Sequence, residues 1–143
     1  VIIPDINMLL YAEVDAYPWH RVARRWWEDA LSGERPVGLA PVCLFGFLRL
    51  STNRRVFRDP LPIDDALARV RRWIERPSVA ALVPGPRHLE IAFGLLRKLG
   101  TGGNLTTDVQ IAAHAIELNA EVHSNDSDFG RFESLRWLNP LSA

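Results

Sequence analysis

The stretch Val1-Ile2-Ile3-Pro4-Asp5-Ile6-Asn7 decides the fold. Val1 to Ile3 reads as a short buried strand that feeds a turn at Asp5. An acid just past a strand end matters because ligand sites in open α/β sheets form outside the carboxyl ends of the strands. The same placement recurs twice further along. Asp108 in Asn104-Leu105-Thr106-Thr107-Asp108, and Asp126 in His123-Ser124-Asn125-Asp126-Ser127-Asp128-Phe129, each stand beside a predicted strand end. The three carboxylates converge if those strands are parallel neighbours. Acids held together in this way need a divalent cation, and oxygen-only ligands point to magnesium or manganese.

The rest of the chain supports such a sheet. An amphipathic helix is expected over Pro18–Leu31, with Val22, Ala23, Trp26, Trp27, Ala30 and Leu31 at helical spacing and Pro18 in its first turn. Val37 to Ala40 reads as a second strand, and Pro41 opens a helix carrying Leu44, Phe47, Leu48 and Leu50. Thr52 to Pro62 is turn-rich. Asp64 is the expected N-cap of a third helix through Leu67, Val70, Trp73 and Ile74. Val79–Val83 reads as a strand. Pro84-Gly85-Pro86 then leads into a helix over Leu89, Phe93, Leu96 and Leu99, which Gly100, Gly102 and Gly103 end. Thr106–Leu118 is a helix, Ala120–Ser124 a strand, and Trp137-Leu138 a final edge. Alternating strands and helices imply a mainly parallel sheet of four or five strands, covered on both faces.

At 143 residues the chain is expected to form one domain, residues 1–143, burying roughly two-thirds of its unfolded surface. Its 48% hydrophobic and 24% charged content is that of an ordinary globular protein, and no apolar run is long enough to span a membrane. Pro4 and Asp5 break the apolar start at once, so no signal peptide is expected. The absence of a starting Met suggests trimming. Cys43 is the single cysteine, which excludes an internal disulfide framework and fits a reducing cytoplasm; the residue reads as small and buried.

Net charge is zero, yet 16 of the 17 cations are arginine, the side chain that grips phosphate bidentately. They cluster as Arg49, Arg54, Arg55 and Arg58, then Arg69, Arg71, Arg72 and Arg76. A basic rim around an acidic pit is one reading, and an Arg-rich genome is the other. Trp26 and Trp27 lie on the apolar side of their helix, where core or partner packing outweighs base stacking. His20, His88, His114 and His123 have no partner at zinc-motif spacing, and no phosphate-binding loop is present. No serine-nucleophile elbow is present either. A phosphotransferase of the haloacid dehalogenase type needs a second acid two residues after Asp5, where this chain has Asn7. Metal-assisted phosphodiester cleavage is the first reading of the three acids.

Taken together, the pieces resemble the PIN-domain ribonucleases, specifically the VapC toxins of bacterial toxin–antitoxin pairs. They are Pro4-Asp5-Ile6-Asn7-Met8-Leu9-Leu10-Tyr11-Ala12, Phe47-Leu48-Arg49, Gly103-Asn104-Leu105-Thr106-Thr107-Asp108 with Ile111-Ala112-Ala113, Ser124-Asn125-Asp126-Ser127-Asp128-Phe129 and Asn139-Pro140-Leu141. The resemblance implies a PIN-like α/β/α sandwich and a Mg2+-dependent endoribonuclease toxin, Mn2+ substituting, that hydrolyses tRNA or ribosomal RNA. It assigns Asp5, Asp108 and Asp126 to catalytic metal binding, Asp128 to an auxiliary position and Ser124 to a hydrogen-bonding one. Asn7 either orders the Asp5 loop or serves turn chemistry. Asn104 either caps the helix before Asp108 or orients that acid. Arg49, Arg54 and Arg55 are expected to contact RNA. The expected partners are a VapB-type antitoxin, whose basic or bulky side chain would enter the acidic pit, and a second copy of the chain.

One position departs from the family. Its second acid is a Glu directly before Phe-Leu-Arg, and this chain has Gly46 there. Glu13, Glu90 and Asp128 are left open as substitutes. The alternative reading is a PIN-like module that binds RNA or a partner with weakened catalysis.

Overall fold

Five three-residue strands form one sheet in the order β3-β2-β1-β4-β5, and every neighbouring pair is parallel. They are β1 (Ile2–Pro4), β2 (Val37–Leu39), β3 (Val79–Ala81), β4 (Glu121–His123) and β5 (Arg136–Leu138). The computed structural model describes residues 1–142. Ile2 of β1 lies between Val37 and Glu121, and Pro4 lies opposite His123. All three residues of β1 and of β2 are buried, as expected of strands covered on both faces.

The chain leaves β1 toward β2 and β3 on one side, then returns to place β4 and β5 on the other. The order therefore reverses between β1 and β4, and the crevice at such a switch point is where open α/β sheets bind ligands. Asp5 follows β1 and Ser124 follows β4, so two of the marked segments open into that crevice.

Six helices flank the sheet. They are α1 (Ile6–Glu13), α2 (His20–Ser32), α3 (Pro41–Ser51), α4 (Ile63–Ile74), α5 (His88–Leu99) and α6 (Thr106–Leu118). Helix α1 packs on α2 and α3, while α5 packs on α6. Buried Trp27 of α2 meets Trp73 of α4 edge to face, and Trp73 meets Phe47 of α3 the same way. Trp27 is thus a core residue of its own chain, which removes it from any contact between copies. Exposed charges fill the other side of α2 and α4, producing the amphipathic pattern visible in the sequence.

Several boundaries shift from the sequence reading. Helix α2 begins at His20, leaving Pro18 outside it. Pro62 occupies the cap position of α4, while Asp64 and Asp65 sit in its first turn, where negative charge opposes the helix dipole. Strand β3 ends at Ala81, and Val83 is exposed. Gly100 closes α5 at φ 71°, the left-handed conformation that a helix end favours for glycine.

Candidate metal centre

Asp5 is the N-cap of α1, and its Oδ1 accepts the Ile6 N–H at 2.7 Å. Its other oxygen, Oδ2, accepts the Ser124 hydroxyl at 2.7 Å. That hydroxyl in turn accepts the Asp126 N–H at 2.9 Å and the Asn7 Nδ2–H at 3.3 Å. Ser124 therefore ties the turn after β4 to the turn after β1. Asn7 returns the link by accepting the Asn125 N–H through Oδ1 at 3.4 Å. Capping and site geometry coincide at Asp5, because the turn that starts α1 also aims the carboxylate into the crevice.

The other acids arrive from two further elements. Asp108 lies in the first turn of α6. Asp126 caps the short 3-10 turn Ser127–Arg131 by accepting the Asp128 N–H at 2.9 Å. Asp108, Asp126 and Asp128 each present an oxygen within 4.8 Å of the other two. Asp5 stands behind this trio as the buried member.

The electrostatics follow from that crowding. Burial and then the charges of Asp5, Asp126 and Asp128 push the Asp108 carboxyl up to about 7. Burial raises Asp5 too, against the hydrogen bonds from Ser124 and Ile6 that favour its charged form, and Asp126 pushes it further up. Without a counter-charge these groups cannot all be ionised at neutral pH. An all-oxygen set of carboxylates with this spacing fits Mg2+ or Mn2+, which accept a few carboxylates and keep several waters.

A PIN domain model matches residues 2–135. The chain belongs to the PIN-domain family. Within it the chain falls among VapC proteins: it is 55% identical over 141 residues to Ribonuclease VapC33 of Mycobacterium tuberculosis, covering 99% of each chain. It is 44% identical over 138 residues to Ribonuclease VapC37 of the same species, covering 96% of each. The fold is shared with VapBC2 from Rickettsia felis bound to a promoter DNA fragment (TM-score 0.69, 18% identity, 96% of this chain and 97% of that one). It is shared also with VapC20 of Mycobacterium tuberculosis, a sarcin-ricin loop cleaving toxin (TM-score 0.68, 18% identity, 91% and 93% covered).

The position where this PIN chain departs from the family pattern is filled, not vacant. Gly46 is buried in α3, and a Cβ built there would lie 2.4 Å from Ile6 Cδ1 and 2.9 Å from Ile6 Cγ1. The Ile6 side chain occupies the room a longer residue would need. Of the three acids left open as substitutes, only Asp128 joins the trio. Glu13 sits at the far end of α1, bound to Arg69 at 2.8 Å and Trp73 at 3.3 Å, and Glu90 is exposed on α5.

Other marked residues divide cleanly. Asn104 is exposed in the 3-10 turn Gly103–Leu105, and Leu105, not Asn104, holds the cap position of α6. Its side chain makes no hydrogen bond among the described residues, so the structure does not bring it into the network. Arg49, Arg54 and Arg55 are exposed and have no acidic partner among the described residues. Arg49 follows Gly46 by one helical turn, on the same side of α3. No histidine joins the acids. His20 donates to the Tyr11 carbonyl at 2.8 Å, while the His88 and His114 rings lie tilted against each other with centroids 4.3 Å apart.

Several contributors lie outside the residues expected to form the site. The Cys43 thiol lies beneath the site: burial, then Asp5 and Asp108, push its pKa well up, so it stays protonated there. Trp137 Nε1 donates to the Ser124 carbonyl at 2.9 Å, and Asn139 Nδ2 to Asn125 Oδ1 at 3.0 Å. Behind β4, Trp26 Nε1 donates to His123 Nδ1 at 2.9 Å, so His123 Nε2 carries the proton it gives Glu121 at 2.8 Å. Asn139 belonged to a quoted motif, but the indole donors had no local signal.

Proposed function

We propose that the chain is a Mg2+-dependent endoribonuclease toxin, with Mn2+ able to substitute, acting on the phosphodiester backbone of tRNA or ribosomal RNA. The convergence of Asp108, Asp126 and Asp128 within 4.8 Å, backed by buried Asp5, is the observation that carries this reading. Its ribonuclease-named relatives support the reaction class.

The protein's own contribution begins with Asp108, Asp126 and Asp128, which would hold the cation through one oxygen each. A bound divalent cation supplies Lewis-acid polarisation of the scissile phosphate and lowers the pKa of an attacking water. Asp5 stands behind the trio, and the Ser124 hydroxyl fixes its orientation and favours its charged form against the effect of burial. Asn7 holds Ser124 and Asn125 in register with that arrangement. Exposed Arg49, Arg54 and Arg55 would grip flanking RNA phosphates.

The weakened-module alternative rests on the missing Glu. Asp128 supplies a third carboxylate to the trio and Ile6 fills the gap at Gly46, which favours the catalytic reading. The partners we propose are a VapB-type antitoxin, in line with the VapBC complexes that share this fold, and a second copy of the chain.

The test is cleavage of total RNA by purified protein free of antitoxin. Discrete fragments with Mg2+ or Mn2+, lost with EDTA and lost in Asp5→Asn, are expected. Equal cleavage in EDTA, or by a folded Asp5→Asn protein, would overturn the reading.

A further inference from the structure

A second charged cavity lies between α2 and α4, beside the end of α1, and encloses about 270 Å³. Its walls carry Arg24, Arg69, Arg72 and Arg76 against two carboxylates, Glu13 and Glu28. Those carboxylates are already paired: Glu13 with Arg69 at 2.8 Å and Arg24 at 3.6 Å, Glu28 with Arg24 at 3.0 Å. Arg72 and Arg76 are exposed and have no acidic partner among the described residues. Arg69 and Arg72 are one turn apart on the same side of α4, and Arg76 follows just beyond the helix end.

Two buried donors on the same walls also lack an acceptor. Trp27 is 1% exposed and its Nε1–H has no partner among the described residues; the Nε–H of Arg69 is likewise buried and unpaired among them. Native folds leave very few buried donors unanswered. Two unpaired guanidiniums beside a cleft already lined by Arg24 and Arg69 suit an anion with several oxygens.

We infer that this α2–α4 cleft is a phosphate subsite, taking a backbone phosphate of the RNA away from the scissile bond. The inference rests on the nuclease reading above and specifies how the substrate is held. The apolar wall residues Trp27, Leu31 and Trp73 are all buried, so the open surface is charged. A phosphodiester chain needs no more, whereas a peptide partner draws its affinity from apolar anchors. Helix α1 starts at the acidic centre and ends at Glu13 after 8 residues, roughly 12 Å at ~1.5 Å per residue. The acidic centre and the cleft thus lie at opposite ends of α1.

The experiment is fluorescence anisotropy of a labelled single-stranded oligoribonucleotide with full-length Asp5→Asn protein in EDTA, across 50–200 mM salt. The same protein also carries Arg72→Gln/Arg76→Gln or, as a control, Arg71→Gln, which is exposed on α4 but outside the cleft. Losing the one phosphate held there lowers the log–log salt slope by about 0.7, the value per phosphate on a single strand. The affinity penalty of the double substitution is then about 2.6-fold larger at the low end of that salt range than at the high end, while Arg71→Gln stays near the parent. Unchanged affinity and slope in the double variant would overturn the inference and leave the nuclease reading intact. So would an equal loss from Arg71→Gln. If an oligo-glutamate peptide binds and only its binding is lost, the cleft belongs to an acidic peptide. Failure of the parent itself to bind RNA would sink the nuclease reading along with the subsite.

Discussion

Asp108→Asn should stabilise the metal-free protein at neutral pH, an unusual outcome for removing a site residue. In the fold its carboxyl is raised from 3.8 to about 7. Between those values the native state binds a proton that the unfolded chain does not, so this group's contribution to stability falls as pH rises. The cost is complete above about 7 and absent below the unfolded value. The displacement of about 3.2 decades corresponds to ~4 kcal/mol at ~1.36 kcal/mol per decade. Asp108 is only half-buried, and solvent screening reduces this to ~1–2 kcal/mol. For a domain of this length that is a Tm rise of roughly 3–8 °C. Calorimetry in EDTA should show Asp108→Asn above the wild type at pH 7.5, with the gap closing toward pH 5. Mg2+ or Mn2+ should reverse the order, because a cation bound to the wild type relieves the same repulsion. A variant no more stable than the wild type in EDTA, with a gap independent of pH, would refute the electrostatic account of the centre.

Three further substitutions probe its supports. Ser124→Ala removes the hydroxyl that serves Asp5, Asp126 and Asn7; a loss of ~1–3 kcal/mol in urea denaturation and weaker Mn2+ binding by titration are expected. Gly46→Glu forces a side chain against Ile6 and should cost ~1–3 kcal/mol, with Gly46→Glu/Ile6→Ala recovering most of it in the same assay. Glu13→Gln leaves Arg69 without its closest acidic partner; thermal unfolding should show a loss of ~2–3 kcal/mol with little change in metal affinity.

The parts of the centre that were legible in the sequence are those set by local structure. Asp5 and Ser124 follow strands directly, and Asp108 opens a helix, so each position follows from a single element. The sheet was legible for the same reason, since Ile2–Ile3, Val37–Leu39 and Val122 form short apolar runs between helical segments. What escaped depends on contacts between distant segments. Ile6 filling the space beside Gly46 joins α1 to α3, and nothing near either residue announces it. That Asp128, and not Glu13 or Glu90, lies beside Asp108 and Asp126 depends on where separate elements end up. Asn104 misled because it precedes a helix as a cap should, while the 3-10 turn shifts the cap position to Leu105. The Trp26-Trp27 pair looked like one apolar surface, yet Trp27 enters the core and Trp26 turns to His123.

The central claim is that these carboxylates hold the cation on which RNA cleavage depends. It is tested most directly by titrating Mn2+ into the protein calorimetrically while measuring RNA cleavage at the same metal concentrations, in wild type and Asp108→Asn. The account predicts that binding and cleavage rise together in the wild type and that both are lost or greatly weakened in the variant. Cleavage that saturates without metal binding, or Mn2+ binding that survives Asp108→Asn unchanged, would contradict it.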